Sequence, residues 1–430
     1  MSIGVFLVLV AVLLIIGVPV CYSMAASSIV FMVLNDIPGA MVMQKIFSSV
    51  DKSALLCIPF FILAGDLMNR GGIGSRIILL CRLLVGNIRG SMCYVVIIAC
   101  TFFGAITGSS IACCVALGAI LIPELVSEGY SREFSTAITA AGSTLGQIIP
   151  PSVALVTYAS ITDCSVTSLY KAGLPAGIII AIFFMGMVFF KTRKSKMNIT
   201  GAALPRWKDL EPEEKKARKK EILKSLWALG MPIVILGGIF SGFCTPTEAS
   251  VIAVAYALFV GVVVYRELPI KDLPKIFVNS CWGSARIMFI MGCAGLFAWV
   301  ITYENLPQTL MGALTGISSS KYLLLAVMIV IALFMGMFIE GAAILLITVP
   351  VYFPMMSVYE IDPIHAGVFL VCLNCVGLLT PPFGTVLYTG SHVGKISVHR
   401  LAKSLMPFIL VETAAVILIT LIPELIMWIV

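Results

Sequence analysis

The sequence predicts an all-α polytopic membrane protein, built as an inverted-topology repeat in which each half carries a re-entrant helical hairpin and a discontinuous helix. Three observations predict it. Hydrophobic residues make up 60% of the 430 and charged residues only 11%, against roughly a quarter charged in a soluble domain. Apolar runs of about 20 residues recur, the length of a helical span, and they are continuous rather than alternating, which argues against a β-barrel. Finally, the stretch from Gly104 to Pro151 is repeated in outline by Gly336 to Phe383. In each, a small-residue break separates two apolar arms, and a Gly-x-x-x-Pro-Pro break follows inside the next apolar segment. Gly146 and Gly377 match at a separation of 231, as do Pro150-Pro151 and Pro381-Pro382.

Taken in order, residues 3–21 make the first span. They resemble a signal-peptide core, but no basic residue precedes them, so a retained helix is expected. Residues 23–44 make a second span, broken near Asp36-Ile37-Pro38-Gly39, and 53–69 a third. In 73–89, Arg76, Arg82 and Arg89 recur among Ile and Leu, which predicts a helix lying at the membrane surface with the arginines on roughly one face. Residues 91–106 and 110–125 are too short for comfortable spans. With Gly108-Ser109-Ser110 between them they predict a re-entrant hairpin, opening to the cytoplasm because Arg89 and Arg132 flank its mouth. Residues 133–162 cross with the Gly146–Pro151 break in the middle, and 170–190 return.

Residues 191–224 hold 12 Lys/Arg against 5 Asp/Glu, a surplus equal to the net charge of +7 of the whole chain. The charge therefore marks one cytoplasmic loop rather than a nucleic-acid surface. Within it, Asp209 to Glu221 predicts a surface helix. The second half repeats the order. Spans at 223–241, 246–265 and 279–303 are followed by a connector at 306–318, a hairpin at 321–338 and 342–355 around Glu340-Gly341, a broken span at 364–390 and a last span at 404–428. The units are 1–190, the loop 191–222, and 223–430. Five crossings in each half, an odd number, give the halves opposite orientation, with both termini outside and the second hairpin opening outward.

Glycine and tandem proline free backbone groups that lipid cannot satisfy, so such breaks belong where protein or water surrounds them. Two in matching positions point to a transporter's binding site. The tip Gly108-Ser109-Ser110, with Thr107, offers carbonyls, hydroxyls and a helix N-terminus within one turn. Carbonyls and half-helix C-termini suit Na⁺, and N-termini suit a carboxylate; the plainer reading is a small-residue helix contact. Gly146 to Ile149 should face that tip and complete a cation cage, with Pro150 and Pro151 preventing continuous helix. Glu340 is a carboxylate at membrane depth; it can help bind Na⁺, carry a proton or cap the half-helix near Ala342. Gly377 to Pro382 is the partner break, with Thr380 and Thr385 offering hydroxyls. Thr245-Pro246-Thr247-Glu248 is a capping box. Asp163 and Glu304 fall near the outer ends of spans. The thirteen cysteines lie mostly in apolar runs and read as small hydrophobes. His365, His392 and His399 have no metal or triad spacing, and no P-loop pattern occurs.

The segments GAITGSSIA at 104–112, IPEL at 122–125, EGYSREFSTAITAAGSTLGQIIPPS at 128–152, AGLPAG at 172–177, GFCTPTEAS at 242–250 and GLLTPPFGT at 377–385 resemble the large transmembrane subunit of the tripartite ATP-independent periplasmic (TRAP) transporters over nearly the whole chain. The resemblance implies a Na⁺-driven importer of organic acids in a bacterial inner membrane, working by an elevator motion. It also implies two partners, a small four-helix membrane subunit and a periplasmic substrate-binding protein. The small subunit is not expected to be fused, since the chain opens on this subunit's first helix. Carried over, the resemblance implicates Ser109, Ser110, Gly146 to Pro150 with Ile149, Glu340, Gly341, and Gly377 to Pro381 with Thr380; the residues themselves add Gly108 to the expected Na⁺ set and Thr107, Ser152 and Thr385 as groups expected to face the substrate. The rival reading is a stand-alone Na⁺/dicarboxylate symporter of the same architecture. A channel is disfavoured by the two inverted Pro-Pro breaks, and an enzyme by the lack of a catalytic constellation at bilayer depth.

Overall fold

The computed structural model describes residues 2–86, 88–194, 211–317, 320–337 and 341–430. Among them all regular structure is helical, and nine helices are long and apolar enough to cross a membrane. The second hairpin's Glu340 lies outside the described residues.

The first half opens with α1 (Ile3–Ile15), α2 (Val20–Leu34), α3 (Ala40–Val50) and α4 (Cys57–Arg70). The break expected near Asp36-Ile37-Pro38-Gly39 is present and divides the stretch 23–44 between two helices, α2 and α3. Asp36 takes a positive φ of 54°, and Pro38 has no amide to continue the ladder, so the chain turns and restarts at Ala40. Then come the connector α5 (Ile73–Val85), the hairpin arms α6 (Ser91–Thr107) and α7 (Ser110–Ser127), the broken helix α8 (Arg132–Ser143), α9 (Leu145–Ile148) and α10 (Val153–Thr162), and α11 (Val166–Lys194).

The second half repeats this with α12 (Pro212–Phe240), α13 (Pro246–Leu258) extended by a π-helical turn to Tyr265, α14 (Leu273–Tyr303) and the connector α15 (Leu306–Ile317). Its hairpin arms are α16 (Lys321–Gly336) and α17 (Gly341–Val358); its broken helix is α18 (Pro363–Leu379) with α19 (Thr385–Gly394). The chain closes with α20 (Val398–Leu421) and the short α21 (Glu424–Met427). From Pro212 on, the surface helix expected at 209–221 and the span at 223–241 are one helix, α12. From Glu213 to Leu229 no Gly or Pro intervenes, and Lys, Glu, Ala, Arg and Leu carry the helix into the apolar segment. At the start of α13, Thr245 and Glu248 form the expected capping box.

The helices divide into a frame and a core. The frame joins the halves, with α14 packed on α2, α3 and α4, and α13 on α4. The core interlocks them: α10 lies against α17 of the other hairpin, and in mirror fashion α19 lies against α7. The broken helices sit at its centre, where His365–Leu379 is buried without interruption, as is Ser135–Gly146. That is where lipid-incompatible backbone has to be. All thirteen cysteines are free, and most are buried among apolar neighbours.

The connector α5 differs from the expected single arginine face. It ends at Val85, before Gly86 at φ 66°, which leaves Arg89 beyond the helix. Arg76 and Arg82, six residues apart, point a third of a turn from each other. Arg76 pairs with Glu267 of the frame at 2.5 Å and lies over the Tyr265 ring. Arg82 pairs with Glu124 and Glu128 of the hairpin at 3.4 and 3.3 Å.

Candidate functional site

In the first half, α6 ends in Gly108, whose φ of 62° favours glycine. A methyl group there would also fall 2.5 Å from the Pro151 carbonyl oxygen. Ser109 starts α7 as its N-cap, accepting from the Ala112 amide at 3.4 Å. Gly104 and Gly146 bring α6 and α9 into backbone contact: a methyl on Gly104 would land 2.6 Å from Gly146 Cα, and one on Gly146 would lie 3.2 Å from the Ser109 carbonyl oxygen. The tip therefore rests on the break. Beyond it the Pro150-Pro151 peptide is cis, and Ser152 caps α10.

The second half mirrors this. A methyl on Gly336 would lie 2.5 Å from Gly377 Cα, and the Pro381-Pro382 peptide is also cis. The Phe383 amide donates to the Met337 carbonyl at 3.1 Å, tying break to hairpin. Gly341 begins α17, where a methyl would fall 2.4 Å from Asn374 Nδ2 and 2.9 Å from Gln147 Nε2. The two breaks also touch each other: Cys375 Sγ donates to the Thr144 carbonyl at 3.6 Å. These two residues are 231 apart, the same offset as Gly146 and Gly377.

Between core and frame lies a cavity of about 270 Å³. Its core wall includes Thr107, Gly108, Ser109, Ser110, Gly341 and Thr385 of the expected residues, so it gathers both hairpins. The Ser110 hydroxyl donates to Gln147 Oε1 at 3.3 Å, and the Thr385 hydroxyl is buried without a partner. Gly146, Ile149, Pro150, Gly377, Thr380 and Pro381 do not line this cavity, and Thr380 donates its hydroxyl to the Val376 carbonyl at 2.7 Å. Nor does Ser152, whose hydroxyl is engaged by the Gln147 carbonyl and the Leu155 amide.

The first residues of α7 and α17 both line the cavity, which places two positive helix ends on it. The other polar groups of the core wall are carbonyls, hydroxyls and amides. Hard oxygens of this kind fit Na⁺ rather than a transition metal, and no His/Cys/Asp/Glu cluster able to hold a metal occurs among the described residues.

Sequence reasoning passed over several polar groups. Gln147 was visible only as part of a motif, yet its side chain accepts from Ser110 at the first tip and lies close beside Gly341. Asn374 is fully buried with neither amide atom partnered. Glu412 on α20 is also fully buried; its Oε1 accepts from the Thr144 hydroxyl at 2.9 Å and its Oε2 has no partner. The frame wall contributes Asp66, Asn69 and Arg286. The available signal was a polar or ionisable residue within an apolar run.

Residues 7–425 match the family model described as the tripartite ATP-independent periplasmic transporter, DctM component. A relative in Pseudomonas aeruginosa, the C4-dicarboxylate TRAP transporter large permease protein DctM, is 36% identical over 88% of this chain and 86% of its own. The sialic acid TRAP transporter large permease protein SiaM of Vibrio cholerae is 33% identical, over 96% and 94%. Among solved structures, the YdaH transporter of Alcanivorax borkumensis, of unusual topology, superposes with a TM-score of 0.61 at 16% identity, over 88% of this chain and 86% of that one. That likeness concerns the fold.

Proposed function

The chain belongs to the DctM component family of the tripartite ATP-independent periplasmic transporters, and from that premise we propose that it is the large permease of a Na⁺-coupled importer of an organic acid. The cargo class is a small carboxylate, such as the C4-dicarboxylates and sialic acid named for its relatives. The observation that carries the reading is the pair of mirrored breaks, each resting on a hairpin, beside one cavity at the seam of core and frame.

The physical argument runs from charge. A carboxylate crossing apolar surroundings needs a counter-charge, and carbonyl oxygens at Gly108, Ser109, Gly146, Ile149 and Gly377 are the candidates to hold Na⁺ nearby. One unit charge moved through 100 mV is worth roughly 2.3 kcal/mol. Two or more Na⁺ per monoanion would therefore draw on potential as well as concentration. The core, tethered by α5 and α15, moves against the frame in an elevator stroke. Loop 191–222 faces the cytoplasm of a bacterial inner membrane, both termini face the periplasm, and a small membrane subunit and a soluble binding protein complete the system.

Reconstitution tests this. Proteoliposomes holding the chain and its small subunit, given binding protein loaded with radiolabelled acid, should take up label only with an inward Na⁺ gradient. Equal uptake with K⁺ on both sides overturns Na⁺ coupling. Uptake of free acid without the binding protein supports the stand-alone symporter instead.

A further inference from the structure

The frame wall of the cavity carries a cation, Arg286, that has no ion-pair partner among the described residues. Arg286 sits near the middle of the 31-residue α14, within a segment long and apolar enough to cross a membrane, where a charge is costly. Gly283, Ile287 and Ile290, three or four residues from it along one helix face, line the cavity with it. Among the described residues Arg286 forms no ion pair; the pairs present involve Lys52, Arg76, Arg82 and Arg400. The carboxylate in the same wall, Asp66, accepts from the Ser280 hydroxyl at 2.5 Å. Opposite stand the Ser110 and Thr385 hydroxyls, Gln147, and the starts of α7 and α17. The cavity thus has a guanidinium and the hydrogen-bonded Asp66 carboxylate on the frame side, and hydroxyls and helix N-termini on the core side.

We propose that Arg286 binds a carboxylate of the cargo from the frame, so that a small acid is held across the seam between the two units. This rests on the transport reading above and adds a specific subsite to it. A guanidinium fork matches a carboxylate in two parallel hydrogen bonds, while the core wall takes the rest of the molecule. The volume of about 270 Å³ lies just below the usual ~300–1,000 Å³ of ligand pockets, and we take a diacid or hydroxy acid of a few carbons as the cargo that suits it. Because the arginine belongs to the frame, the contact exists at one end of the stroke only. It biases the loaded core toward this end through differential affinity and is released when the core moves away.

The test uses the purified full-length chain in detergent, with melting temperature read against titrations of succinate, malate, pyruvate, isethionate and N-acetylneuraminate in Na⁺ buffer. The wild type should be stabilised most by a small diacid or hydroxy acid. Arg286→Gln should raise that acid's half-saturating concentration about tenfold or more, the loss of one hydrogen-bonded charge contact. Arg286→Lys should recover part of it. Stabilisation by Na⁺ alone should survive in both variants, which shows that the core is folded. Unchanged half-saturation in Arg286→Gln overturns the subsite and leaves the transport reading standing. Strongest stabilisation by N-acetylneuraminate, abolished in Arg286→Gln, keeps the arginine contact and overturns the small-acid preference. No stabilisation of the wild type by any acid or by Na⁺ overturns the transport reading, and the subsite with it.

Discussion

A methyl group added at Gly104 would sit 2.6 Å from Gly146 Cα, and one at Gly336 would sit 2.5 Å from Gly377 Cα. Neither neighbour is a movable side chain, so the helices themselves must separate. Gly104→Ala and Gly336→Ala should each destabilise by about 1–3 kcal/mol, the usual cost of overpacking, and should depress uptake more than that alone explains. Gly186→Ala is the control: nothing lies within 4 Å of it, and alanine suits a helix interior better than glycine. Melting temperatures in detergent, alongside proteoliposome uptake, check both. Glu412 makes a different residue-scale prediction. Glu412→Gln keeps an acceptor for the Thr144 hydroxyl and should fold normally. Glu412→Ala removes that acceptor and opens a cavity, and should cost about 2–5 kcal/mol. The register of Gly146 and Gly377 was legible in the sequence because it repeats. Their contact partners Gly104 and Gly336 were not, because close approach is a property of two segments together. Arg286, Asn374 and Glu412 were each visible as polar residues in apolar runs, but what each faces lies on another helix.

The connector α5 shows how an element takes its role from what it touches. Its two arginines tie opposite ways, Arg76 to the frame and Arg82 to the first hairpin. The Arg76 guanidinium hydrogen-bonds Glu267 and holds its carboxyl below the ordinary value of 4.5. The folded-state value being the lower one, this tie contributes fully above 4.5 and is lost as pH falls through the depressed value. Burial acts the other way on Glu128, raising its carboxyl above 4.5, with Arg82 opposing. Hydrogen exchange across Ile73–Val85 should therefore quicken as pH drops below about 4.5, after correction for intrinsic rates. In Glu267→Gln it should already be faster at neutral pH, with that acid-dependent step gone; an identical profile in both would exclude the tie as the cause. Element boundaries were legible where punctuation is strong, as at Gly108, Thr245 and the two Pro-Pro pairs. They were not where a charged helix runs without a breaker into an apolar one, as in α12.

At the scale of the whole molecule, an elevator stroke requires core and frame to slide. Gly65 of α4 and Thr107 at the hairpin tip face each other across the seam, a methyl on Gly65 lying 3.4 Å from Thr107 Cα. Gly65→Cys with Thr107→Cys, in a background lacking the less buried Cys21, Cys164, Cys244 and Cys281, should cross-link under oxidation and stop uptake, and reduction should restore it. Full flux through the cross-linked protein would eliminate sliding at this seam. The inverted repeat was legible from one recurring offset. The cavity was not, since its frame wall joins α4 of one half to α14 of the other. The contact between Thr144 and Cys375 carries a consequence of its own. Each is the other's counterpart under the internal duplication, so the two broken helices meet at one point shared by both halves. A change at that joint is therefore inherited by both halves at once.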